Sequence, residues 1–105
     1  MAPPPVATYR IQLRRDFGFQ AAAETAAYLA DLGVSHLYTS PYLQSAAGST
    51  HGYDVVDPNE GNEELGGAEE HGRLCETLGA TGLGHMIDLV PNHMAISGRQ
   101  NPWWW

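Results

Sequence analysis

Strand-forming and helix-forming segments alternate along this sequence in the order strand, helix, strand, long loop, helix, strand, and that alternation predicts an α/β fold. Helices of this size between strands imply parallel strands joined by right-handed crossovers. A doubly wound sheet and an eight-stranded barrel both begin this way. The loop after the first strand, Arg14–Gly18, holds no Gly-x-Gly-x-x-Gly, so it lacks the phosphate cradle of a dinucleotide site. The loop after the second strand is long and carries His51 and Tyr53, which fits a barrel whose strand-to-helix loops build the site. The expectation is the first β-α-β-α-β portion of such a barrel.

Residues 1–7, with three consecutive prolines, read as a loose lead-in. Thr8–Leu13 alternates, with Tyr9, Ile11 and Leu13 on one side and Thr8, Arg10 and Gln12 on the other, as a strand does. Arg14–Gly18 is a polar turn in which Asp16 suits the N-cap of a helix. Phe19, Ala22, Ala23, Ala26, Leu29 and Ala30 recur at helical spacing, and Gly33 stands where a left-handed C-cap belongs. Val34–Thr39 is a second strand, ended by Pro41. From Tyr42 to about Gly67 there is little periodicity, and a loop of that length in a compact domain is functional or disordered. His71, Leu74, Cys75 and Leu78 mark a second helix ending near Gly79, and Ala80–Gly82 turn into the third strand.

Composition narrows the partners. Twelve acidic residues against five basic ones give a formal charge of −7, which argues against nucleic acid and against an anionic membrane surface. The single cysteine, Cys75, excludes an internal disulfide and points to a reducing compartment. Met1–Pro5 has neither the basic flank nor the apolar core of a signal peptide, and no apolar run approaches the roughly 18–20 residues that span a bilayer. A cytoplasmic protein is expected. The sequence closes on Asn101-Pro102-Trp103-Trp104-Trp105. Three adjacent indoles are poor material for a free end, so following structure is expected to cover them and the chain to be the amino-terminal part of something longer.

The third strand opens on Gly82 and Gly84, runs through apolar residues and stops at Pro91, the pattern of a buried strand. It carries Asp88, followed by Asn92 and His93. A carboxylate near the end of a buried strand costs several kcal/mol unless it is paired, and in parallel barrels such strand ends line the active site. Asp88 and His93 therefore read either as site residues or as a loop cap and a stacked ring. His85 points away from Asp88 by strand alternation, so His85, Asp88 and His93 make no metal trio. In the long loop, Gly52 permits a sharp bend between His51 and Tyr53. The flat face and polar tip of Tyr53 suit a pyranose, with His51 and Asp54 in reach of its hydroxyls. The alternative is a loop stapled to the core by Tyr53, with Asp54 capping a turn.

Taken together, His51-Gly52-Tyr53-Asp54 and Asp88-Leu89-Val90-Pro91-Asn92-His93 resemble the alpha-amylase family of glycoside hydrolases, whose fold is a (β/α)8 TIM barrel. Thr8–Leu13, Leu32–Tyr38, Ser40-Pro41, Gly48–Asp57, Asn62–Gly67 and the closing Asn101–Trp105 extend the resemblance over nearly the whole chain from Thr8 onward. They point to members that rearrange maltooligosaccharides. The resemblance implies that residues 8–105 are the amino-terminal part of a catalytic barrel, cut after the third strand and its loop. It makes Tyr53 the aromatic platform under the sugar at the cleavage subsite, with His51 beside it. It makes His93 the imidazole on that sugar's primary hydroxyl, and Asp88 the carboxylate that orients an arginine from a later strand. Asn92 matches a position that binds calcium in many members, although no metal and no cofactor is expected here. His71 and His85 depart from the family's pattern of an aromatic and an aliphatic at those places, a matter of packing.

The implied activity converts the reducing-end α-1,4 bond of a maltooligosaccharide into an α,α-1,1 bond. A retaining reaction of this kind needs two carboxyl groups about 5–5.5 Å apart. The resemblance puts both on later strands, so no catalytic residue lies in this chain, and by itself it is expected to be inactive and poorly folded, with an open sheet edge. Another hydrolase or transglycosylase of the family, or a non-catalytic sugar-binding remnant, is the alternative.

Overall fold

The computed structural model describes residues 4–105; the first three residues of the expected lead-in lie outside the described residues. In chain order the elements are β1 (Thr8–Ile11), α1 (Phe19–Leu32), β2 (His36–Thr39), β3 (Leu43–Ser45), β4 (Val55–Gly61), α2 (Gly67–Thr81) and β5 (Gly84–Ile87). β1, β2 and β5 form one parallel sheet in that order, in a register that aligns Arg10 with Tyr38 and Met86, and Tyr9 with Leu37 and His85. α1 and α2 pack on each other and supply the two crossovers. Among the described residues, no helix is long and apolar enough to cross a membrane.

Strand alternation divides the sheet into two faces. Ile11, Leu13 and Leu37 turn toward the helices and are buried with Phe19, Ala22, Ala26 and Leu29 of α1 and Leu74 and Leu78 of α2. Each buried Leu or Phe contributes about 1.5–3 kcal/mol by its removal from water. The small Ala22 and Ala26 of α1 are both fully buried. α1 stops at Gly33, whose φ of 94° lets its N–H bond back to Leu29 and Ala30.

Helix α1 does not start as expected. Asp16 caps nothing; its carboxylate pairs with Arg14 Nε at 2.8 Å within a tight Arg14–Phe17 turn. The N-cap is Gly18, with no side-chain cap, because a Cβ there would lie 2.4 Å from the Leu65 carbonyl oxygen. A close backbone approach has displaced the capping side chain.

Two further expectations are corrected. The long loop contains an antiparallel pair, β3 with β4, interrupted by register shifts at Gln44. A 3-10 turn, Glu63–Leu65, follows it; buried Asn62 caps that turn by accepting the Glu64 N–H at 3.0 Å and donates to Ser45 Oγ at 2.7 Å. Pro58, Asn59 and Gly61 look like loop residues, yet an irregular, largely exposed strand tolerates them. The third parallel strand is shorter and less buried than its apolar run suggests, because β5 is the sheet edge and leaves Met86 37% and Ile87 42% exposed. The lead-in is anchored at its end, where Val6 and Ala7 donate their N–H groups to Ser35 Oγ at 2.9 and 3.0 Å. The rings of Trp103, Trp104 and Trp105 are exposed on a turn that Asn101 holds through the Trp103 and Trp104 N–H groups.

Four rings from separate elements meet on the helix side. His71 lies 5.3 Å from Phe19 and 4.7 Å from Tyr42, centroid to centroid, and Tyr42 stacks on His85 at 6.0 Å. His85 Nε2 is 2.9 Å from Thr39 Oγ1. Burial, and secondarily the neighbouring His71, hold the His85 imidazole below its usual pKa. The unfolded chain then binds the proton more readily than the folded one, so stability rises with pH. That contribution should be complete above the unfolded value of about 6.5 and drain away as pH falls through the lower folded value. Urea unfolding of the full-length protein between mildly acid and neutral pH is expected to show this slope, and His85→Gln, which keeps a partner for Thr39 but does not titrate, is expected to flatten it.

Candidate functional site

Parallel strands end on one side of their sheet, so the residues just past β1, β2 and β5 gather there: Gln12, Ser40 and Asp88. Ser40 Oγ accepts the Leu13 N–H at 2.7 Å, and the Asp88 N–H reaches the Thr39 carbonyl at 3.2 Å, which fixes where each strand stops. Over these ends folds the loop that precedes β4. Its hub is Ser49, whose hydroxyl donates to Asp54 Oδ1 at 2.6 Å and accepts the Gly52 N–H at 3.0 Å. Gly52 has a φ of 81°, and a Cβ there would lie 2.3 Å from the Pro41 carbonyl oxygen. No other residue type fits that bend without displacing backbone.

The bend brings Tyr53 down onto the strand ends. Its hydroxyl donates to Asp88 Oδ2 and accepts from Arg10 Nη2 at 3.0 Å. Arg10 Nη1 stands 3.5 Å from the same Asp88 oxygen, and the guanidinium lies 4.9 Å above the Tyr38 ring. The bond to Asp88, reinforced by partial burial, raises the Tyr53 pKa while Arg10 opposes the rise. Tyr53 is therefore a neutral donor at physiological pH. His51 stacks on the Tyr53 ring at 6.0 Å and 19° and takes the Tyr53 N–H on Nδ1 at 3.0 Å. His93 Nε2 donates to the Tyr53 carbonyl at 3.0 Å, and its other ring nitrogen faces the Asn92 side chain at 2.9 Å.

Tyr53, Asp88, His93 and His51 thus come together from stretches far apart in sequence. Asp54 is turned into the loop toward Ser49, a geometry that pins the loop. His85 faces the helix side, apart from Asp88. Asn92 turns its side-chain oxygen to His93 Nδ1 at 2.9 Å, beside the Tyr53 carbonyl that His93 also holds. Three contributors were not marked by the sequence reading: Arg10, Gln12 and Tyr38. Gln12 Nε2 donates to the carbonyls of Thr50 and His51, both at 3.2 Å. Their signal was present as the polar side of the alternating first strand, which reads equally as a solvent face.

The model of the alpha amylase catalytic domain matches residues 19–103 of this chain. The chain belongs to the alpha-amylase family. A Mycobacterium tuberculosis protein named as a maltooligosyl trehalose synthase is 49% identical over 111 residues, which take in 100% of this chain and 14% of that protein. The structure of the maltooligosyltrehalose synthase from Arthrobacter ramosus superposes with a TM-score of 0.93 at 41% identity, covering 96% of this chain and 14% of its own. A malto-oligosyltrehalose trehalohydrolase of Brevibacterium helvolum is 34% identical over 87 residues, 83% of this chain and 15% of that protein. The chain spans about 14% of the length of the synthases it matches. Strand order alone is shared by a doubly wound sheet; with these matches the fold is the opening β-α-β-α-β portion of a (β/α)8 barrel.

Gly52→Ala is expected to destabilise by about 1–3 kcal/mol through the strained bend alone, and by more if Pro41 is pushed aside. Denaturant unfolding of the full-length variant checks it.

Proposed function

We propose that this chain is the amino-terminal segment of a (1→4)-α-D-glucan 1-α-D-glucosylmutase, an enzyme that turns the reducing-end α-1,4 bond of maltooligosaccharides into an α,α-1,1 bond. The observation that carries this reading is 49% identity over the full chain to a protein named for that activity, with Tyr53, Asp88 and His93 assembled at the strand ends. The segment supplies one wall of the subsite that holds the transferred glucose. Tyr53, backed by His51, presents an apolar ring to the CH face of the sugar. His93 and Asn92 stand at its edge for hydroxyls, and Asp88 anchors Tyr53 and stays an acceptor for cations from the rest of the barrel. Asp54 contributes by holding the loop.

The chemistry needs a nucleophile and an acid/base about 5–5.5 Å apart. Asp88 already has Tyr53 and Arg10 as partners, an arrangement suited to orientation and not to attack. Both reacting carboxylates belong, in this reading, to later strands of the barrel. After the glycosyl-enzyme forms, the freed glucose must turn and attack through its anomeric hydroxyl before water does, so a closed pocket decides between rearrangement and hydrolysis. Residues 8–105 are then barrel and residues 1–7 lead-in. The unpaired Cys75 supports a cytoplasmic setting.

Incubation of the full-length protein with maltopentaose is expected to give a non-reducing pentasaccharide, with loss of reducing ends and little free glucose. The similarity to the Brevibacterium trehalohydrolase supports a second reading, hydrolysis of a maltooligosyltrehalose, which predicts a shorter glucan and free trehalose from that substrate. No turnover of maltopentaose overturns the first reading, and no turnover of either substrate overturns both. The 105-residue chain by itself is expected to be inactive, and product from it would overturn the assignment of the reacting carboxylates to later strands.

A further inference from the structure

Arg10 and Gln12 occupy the face of the first strand that turns away from the helices, two residues apart, and both reach the same loop. Gln12 holds it by its backbone, at Thr50 and His51. Arg10 holds it by the tip of Tyr53. A phenol has one hydrogen to give, and the Tyr53 hydrogen goes to Asp88. Arg10 fills the acceptor side of the same oxygen, so the hydroxyl is fixed from β1 and from the end of β5 at once. The fork of the guanidinium matters here. Nη2 serves Tyr53 and, at 3.4 Å, Gln12 Oε1, while Nη1 serves Asp88. The flat cation rests on Tyr38 of the strand between. A lysine, one point charge on a flexible stem, cannot make that set of contacts.

This arrangement contributes little to folding. Arg10 is 36% exposed at its side chain, and an exposed ion pair at 3.5 Å is weak. Its effect falls on direction: the plane of Tyr53 is set before any ligand arrives. A platform already in place spares the ordering cost that binding would otherwise meet.

We propose that Arg10 is a positioning residue of the glucan site, locking the Tyr53 ring against Asp88 so that the sugar-stacking surface is preformed. The proposal rests on the reading of the site as a maltooligosaccharide subsite. It needs no contact between Arg10 and the sugar.

The test uses the full-length protein with maltopentaose and three variants, Arg10→Met, Arg10→Lys and Tyr53→Phe, with thermal unfolding measured alongside. Arg10→Met is expected to raise KM about 10-fold while kcat falls less, because ground-state placement is lost before chemistry. Arg10→Lys is expected to recover part of that loss, since charge returns without the fork. Tyr53→Phe removes the hydroxyl through which Arg10 acts, so combining it with Arg10→Met is expected to cost little more than either alone. Unchanged kinetics in Arg10→Met, or effects of the two substitutions that add in full, overturns the proposal and leaves the functional reading standing. If Arg10→Met does not accumulate as folded protein, Arg10→Lys carries the test, with a KM about 3-fold raised expected and an unchanged KM overturning it. A wild-type protein that does not act on maltooligosaccharides overturns the functional reading and this proposal with it.

Discussion

The parallel ladder that sets Arg10, Tyr38 and Met86 side by side is the constraint on which the rest of the structure depends. It does two things at once. Strand alternation sends Ile11, Leu13 and Leu37 to the helices and leaves Arg10 and Gln12 on the opposite face, so core and site are the two sides of one sheet. Parallel direction then brings the ends of β1, β2 and β5 to the same edge, where Asp88 meets groups 35 and 78 residues earlier. A slip of one residue in β1 would exchange its faces and bury Arg10 among leucines.

The bend at Gly52 depends on that frame and completes it. Pro41 leaves the second strand, and the loop must pass so close to its carbonyl that no side chain fits at Gly52. Ser49 and Asp54 hold the loop from within, while Gln12, Arg10, Asp88 and His93 hold it from below. The apolar face of Tyr53 can be presented to a ligand because its polar tip and its carbonyl are both already partnered. Polar satisfaction beneath the ring is what frees the ring above it.

The parallel elements were legible because each answers a local rule: Ala-rich helical spacing for α1, Gly33 as its left-handed C-cap, alternation for β1, whereas the second helix runs past the expected stop at Gly79 to Thr81 and caps on Gly82. What local rules missed was decided at a distance. Asp16 is a good cap by type, but the Leu65 backbone claims the space beside Gly18. The β3–β4 pair has turn residues inside a strand, and buried Asn62 and Ser45, not an apolar period, hold its neighbourhood together. The site divides in the same way. Tyr53, Asp88 and His93 announce themselves as ring, strand-end carboxylate and loop imidazole. Arg10 and Gln12 do not, since the polar side of an amphipathic strand looks the same whether it meets solvent or a site.

Two pairs of histidines illustrate a further separation. His71 and His85 stand with Phe19 and Tyr42 on the helix side of the sheet, whereas His51 and His93 stand with Tyr53 at the strand ends. Thr39 belongs to the strand between, and its hydroxyl pairs with His85 while its carbonyl fixes the Asp88 N–H. The same residue therefore ties the ring cluster to the start of the site through backbone that neither side chain controls. Changes in the cluster reach Asp88 through the position of the β5 end, which the Thr39 carbonyl holds by the Asp88 N–H.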